Sequence, residues 1–283
     1  AGRYQARFTN ANSGNVHTIN FNGDAGNDAL TVQNIQPSGA LTIGATAADF
    51  ANVESLSLLK CQNVTVNTNG GFSFGNSTIA GTLAVNAAGN LTQSGPVVVG
   101  GAATLAVGNA NDITLTQAKN NFYSVAVTTG NNVSLVDVNS LVLGASTVSG
   151  NLNVQASIKS SSRGTLSQSG VLDVDGNTTL AVGRASTIAL TSNNVLGDNP
   201  ATDIVSIASA GNATLKNTVR TTLGTSYVTG NLVLTVDVTA DPGANPVLAQ
   251  AAGASLVVGK IATLSATYTH DPGSGPVSDP ANV

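Results

Sequence analysis

The chain has no methionine, no tryptophan, one glutamate and one cysteine. Charged residues make up 8% of its 283 positions and aromatic residues 4%. Each shortage excludes something. Charged residues average roughly 25% in globular proteins, so this chain is unusually poor in charge. The single cysteine, Cys61, forms no disulfide within the chain. Set in "SLSLLKCQNVTV", it reads as a small core residue, with an intermolecular bridge as the alternative. The ten Lys and Arg are scattered singly and the net charge is −4, which argues against nucleic acid as a partner. No run of about eighteen apolar residues occurs, so no transmembrane helix is expected. The sequence starts at Ala1 and lacks Met, so it is not expected to be a whole translation product. A removed signal peptide and a section of a longer chain are the two readings.

What remains is 41% hydrophobic, with 31 glycines and an abundance of Ala, Val, Leu, Thr, Ser and Asn. Such a chain buries a large core and is not disordered. Val, Thr, Ser, Asn and Gly are poor helix formers, while Val and Thr suit strands. Internal repeats organise it. "STIAGTLAV" begins at Ser77, "STVSGNLNV" at Ser146 and "SYVTGNLVL" at Ser226, the second spacing longer than the first. The first unit continues "LTQSGPVVVGGAATLAVGNANDITLTQAKNN" and the second "LSQSGVLDVDGNTTLAVGRASTIALTSNN". Insertions near "SIKSSSRG" and "LGDNPATD" account for the longer second unit. The third unit is shorter and less faithful, and the pattern before Ser77 is looser. Three divisions follow: residues 1–76, the repeat region 77–270 and a Pro-rich tail or linker, 271–283.

Within each unit a shorter rhythm runs. Leu83 and Leu105 occupy the same place in successive "TLAV" phrases, a period short enough for one solenoid coil. Short alternating strands place Leu and Val on one face and Thr, Ser and Asn on the other. Gly-Asn pairs separate them, at Gly89, Gly108, Gly130, Gly150, Gly176, Gly211 and Gly230. Both residues tolerate positive φ, so corners are expected there. A β-sandwich needs bulkier core residues than this chain has. A parallel β-solenoid does not. Coils of about twenty residues, rising about 4.8 Å each, stack small aliphatic side chains in a narrow interior. A corner Asn then stacks on the next coil and satisfies its backbone groups. The expectation is an all-β, parallel β-solenoid.

The Ser-x-x-x-Gly-x-Leu, "LTQSG" and "GNxTL" phrases over residues 77–270 resemble the repeats of secreted bacterial β-helix surface proteins of the filamentous-haemagglutinin and autotransporter-adhesin type. That resemblance implies an extracellular, right-handed β-helix serving as stalk, fibre or adhesin, with no active site to carry over. The stretch Gly23 to Thr31, "GDAGNDALT", resembles a degenerate repeats-in-toxin turn, matching at Gly23, Gly26, Asp28 and Leu30 and departing at Asp24. In that family calcium sits between consecutive copies. A hard ion wants six to eight oxygens, so one turn holds calcium on Asp24 and Asp28 only with a neighbour's help. The alternative is an ordinary turn.

Catalytic constellations are thin. His17 lies in an alternating strand and His270 in a turn, and no Gly-x-Ser-x-Gly, His-Glu-x-x-His or Walker loop occurs. Asp173 and Asp175 share one face of a strand. Without an aromatic sugar platform they read as a solvated face, and the chain is read as a non-enzyme. Asn-x-Ser/Thr triplets abound, as at Asn63 and Asn76, as chance allows in such a composition. The N-terminal segment alternates Tyr4, Ala6 and Phe8. It is either an ordinary first strand or one that adds to a neighbouring subunit, with Tyr4 and Phe8 at the contact. The expected function is an extracellular structural protein forming a fibre, sheath or surface array by self-association. The alternatives are an adhesin that binds a glycan or surface and, more remotely, a polysaccharide lyase or hydrolase.

Overall fold

A computed structural model describes the backbone of residues 5–11, 17–19, 29–35, 40–44, 54–157, 163–197, 199, 201–239, 246–270 and 277–280. Among them the chain forms thirty strands and no helix. Two compact units divide it, Ala1–Val138 and Asn139–Val283. This division falls inside the repeat region drawn from the sequence, because similarity marks repeats whereas contacts mark units.

Each unit is a parallel β-solenoid. In the first, Ile43, Val66, Val85, Leu105 and Val127 are successive ladder partners, each one coil beyond the last. All five are buried. Their neighbours Thr42, Thr65, Ala84, Thr104 and Ala126 form the matching outward row. Alternation therefore sorts each strand into a dry and a wet side, and parallel stacking turns the dry side into a continuous aliphatic column. In the second unit Leu141, Leu166, Ile188, Ala213 and Leu232 form such a column, at less even intervals along the chain, and the ladder continues to an exposed Ala262. The coils vary in length, and the ladder runs on across them with register shifts at Leu180/Ala181 and Leu190/Asn194.

The core is small-residue throughout, as the composition requires. Its bulkiest point among the described residues is Phe72 against Phe74, edge to face with centroids 4.8 Å apart. Cys61 is a buried core residue in no disulfide, its Sγ 3.9 Å from the Val32 carbonyl oxygen.

The Gly-Asn corners differ from the expectation. Of the seven glycines, only Gly108 has positive φ. Gly89, Gly176, Gly211 and Gly230 are needed instead for clearance between coils. A Cβ on Gly176 would lie 2.8 Å from the Gly150 oxygen, and one on Gly211 would lie 2.5 Å from the Ser186 oxygen. Stacked corners bring backbone onto backbone, and only hydrogen fits between.

At the N-terminal end, Gln5–Ala11 pairs in parallel with Ala29–Ile35, placing Phe8 opposite Val32 on the backbone ladder. Within the tail expected as a linker, Val277–Pro280 pairs antiparallel with the end of Ala262–His270.

Candidate functional site

Polar side chains in this fold bond coil to coil, and three sets recur. The first belongs to the hallmark serines. Ser77 accepts the Leu58 N–H at 3.1 Å and donates to the Gly75 carbonyl, two residues back, at 3.1 Å. Ser226 accepts from Ile207 N–H and donates to the Gly224 carbonyl, each at 3.0 Å. Ser146 donates to the Gly144 carbonyl at 3.0 Å. The repeat therefore carries Gly-x-Ser for a physical reason: the hydroxyl turns back on its own corner, and at Ser77 and Ser226 it also holds the preceding coil.

The second set is a corner ladder. In the first unit Asn90 Oδ1 accepts the Asp112 N–H at 2.8 Å, and Asp112 Oδ1 accepts the Asn132 N–H at 3.0 Å. In the second unit Asn151 accepts from Asn177 N–H, and Asn177 from Ile204 N–H, each at 2.8 Å. Asn212 accepts from Asn231 N–H at 2.9 Å, and Asn231 from Ile261 N–H at 3.3 Å. The expected Asn corner stack is thus present, each side chain satisfying a donor of the next coil. This also explains the Asn-x-Ser/Thr triplets. At Asn63, Asn90, Asn132, Asn177 and Asn212 a corner Asn precedes a buried inward residue and then an outward Thr or Ser. The triplet follows from the coil's geometry and not from chance composition.

The third set is buried, and the sequence reading assigned it no role. Gln93 Nε2 donates to Asn120 Oδ1 at 2.8 Å, and Asn120 Nδ2 donates to Gln93 Oε1 at 2.8 Å. Asn120, fully buried, also accepts the Val97 N–H at 2.9 Å and donates to the Leu115 carbonyl at 3.1 Å. The second unit repeats the device. Gln168 and Asn194 exchange bonds of 2.8 and 3.0 Å, and Asn194 accepts the Leu172 N–H at 3.0 Å. One coil on, Asn217 accepts the Leu196 N–H at 2.9 Å. In the first unit Asp137 accepts the Phe122 N–H at 2.6 Å. The recurring "LTQSG" and "LSQSG" phrases were the signal for these locks.

The residues singled out for chemistry do not converge. Asp24, Asp28 and Tyr4 lie outside the described residues, as does the side chain of Phe8. The same holds for most of "SIKSSSRG" and for the side chains of His17 and His270. Asp173 is half-buried and faces Thr147 and Val195 in the adjoining strands, neither of them charged; Asp175, just past the strand end, is exposed. No group of three or more His, Cys, Asp or Glu side chains gathers among the described residues. Lys216 and Asp237 stand 4.0 Å apart, both partly exposed, a contact worth little. On the outer surface Tyr123 is 67% exposed, and the Arg184 guanidinium lies 4.9 Å over the Tyr227 ring.

Parallel coils, a repeated phase and polar locks between coils define a repeat β-solenoid protein. The family described as "Repeats of unknown function (DUF5649)" matches residues 61–129 and 130–203, half of the chain in two adjoining copies, and the chain belongs to that family. No curated protein matches the chain, and no solved structure does.

Proposed function

We propose that the protein is an extracellular structural element, a stiff segment of a bacterial fibre, sheath or surface array built by self-association. The observation that carries this reading is where its polar chemistry goes. Ser77, Gln93, Asn120, Gln168, Asn194 and Asn217 each bond one coil to another. Load along such a stack is borne by backbone ladders and side-chain ladders together. Sparse Lys and Arg leave few cleavage sites for trypsin-like proteases, which suits a protein outside the cell. The adhesin-like reading of the repeats belongs to the same proposal. Its supporting observation is the outward Tyr123, a ring on which a sugar stacks.

Negative-stain imaging of native material tests the proposal. Filaments or ordered sheets are expected, and dispersed monomers at high concentration overturn the assembly. A glycan array separates the second reading: robust sugar binding by the monomer, lost in Tyr123→Ala, replaces structure by adhesion.

A further inference from the structure

We propose that Asn69 is a site of spontaneous covalent modification, deamidating through a ring closed with Gly70. The inference is independent of the assembly reading. Of all the asparagines in the chain, two are followed by glycine: Asn22, outside the described residues, and Asn69. Elsewhere the order is reversed to Gly-Asn, or a bulkier residue follows. That matters chemically, because the nucleophile is the backbone nitrogen of the next residue, and a Cβ there obstructs its approach.

The structure frees the same pair. Asn69 is exposed at the bend between Asn63–Thr68 and Phe72–Phe74. Among the described residues its carboxamide makes no hydrogen bond and the Gly70 N–H donates none. Asn63, Asn67, Asn90, Asn120, Asn194 and Asn217 all have side chains committed to hydrogen bonds. A Cβ on Gly70 would meet nothing within 4 Å, whereas one on the adjacent Gly71 would lie 2.6 Å from the Asn90 nitrogen. The Thr68 hydroxyl donates to the Gly70 carbonyl at 2.7 Å. The bend is therefore anchored on both flanks and open in the middle, where a ring has room to close.

The step balances without an oxidant. The Gly70 nitrogen, having lost its proton, attacks Asn69 Cγ. A C–N bond forms, the bond to the side-chain nitrogen breaks, and that nitrogen leaves as ammonia with the proton returned. Water then opens the cyclic imide at either carbonyl. One opening leaves aspartate. The other leaves isoaspartate, whose main chain runs through the side chain and is one methylene longer. Either product adds a negative charge at a corner where coils stack.

The test is incubation of the intact protein at mildly alkaline pH and 37 °C, followed by peptide mapping. A gain of about 1 Da localised to Asn69 is expected, with both isomers present and a rate that rises with pH. In Gly70→Ala, which the open space lets fold, as a thermal melt verifies, the gain is expected to slow roughly tenfold or more. Asn69→Ala abolishes it. Failure of Asn69 to convert while a free peptide of the same sequence does so overturns the proposal. So does an equal rate in folded Gly70→Ala.

Discussion

Gln93 and Asn120, on neighbouring coils, exchange two hydrogen bonds of 2.8 Å through their side-chain amides. Gln168 and Asn194 make the same exchange in the other unit. Each amide thereby satisfies both its donor and its acceptor in a dry place. Removing one partner leaves several groups unpaired at once. Asn120→Ala takes the partner from the Val97 N–H and the Leu115 carbonyl, while the Gln93 amide keeps only its bonds to the Gly95 carbonyl and the Gln117 N–H. The expected loss is about 3 kcal/mol, more than the ~1 kcal/mol of an ordinary hydrogen bond. A double-mutant cycle with Gln93→Ala should give a coupling of about 1–3 kcal/mol. Amide exchange at Val97 should quicken before exchange elsewhere.

Thr178 is the counter-example. It sits on the inward column between Leu152 and Val205, fully buried, and its hydroxyl has no partner among the described residues. Thr178→Val keeps the shape and removes the unsatisfied group. A gain of about 1–2 kcal/mol is expected, read as a raised melting temperature.

Corner glycines should divide by clearance. Gly176→Ala drives a methyl to within 2.8 Å of the Gly150 oxygen and should cost about 1–3 kcal/mol. Gly70→Ala meets open space at an ordinary φ, and should be neutral or stabilising by up to about 1 kcal/mol. Parallel thermal melts of the two variants check the contrast.

The corner ladder tolerates a carboxylate where Asp112 already holds a rung between Asn90 and Asn132. Asn177→Asp should therefore lie within about 0.5 kcal/mol of the parent, since its oxygen still accepts the Ile204 N–H. Asn177→Ala removes that acceptor and should cost about 1 kcal/mol. Chemical denaturation of both variants distinguishes the acceptor role from a need for the amide.

Much of this was legible in the chain because a solenoid writes its geometry locally. Period-two alternation at Leu83–Val85 and Leu105–Val107 set the inward rows, and the recurrence of Ser77, Ser146 and Ser226 set the phase. The family match to residues 61–129 and 130–203 follows the same repetition. Gln93 was visible as a repeated letter without a meaning, since its partner Asn120 arrives a full coil later. No local rule says which polar residue goes inside.

Alternation and composition by themselves determined that the chain is all-β, that its core is aliphatic and narrow, and that Asn marks the corners. These are properties of one strand and its turn, so nearest neighbours in sequence suffice to show them. Only the tertiary structure decided that corner glycines such as Gly176 and Gly211 serve clearance and not positive φ. Only it decided that Asn120 and Asn194 are locks, and that Thr178 and the Asn69 carboxamide have no hydrogen-bond partner among the described residues. Each of those depends on what lies one coil above or below, at a distance of about 4.8 Å in space but a whole coil away along the chain.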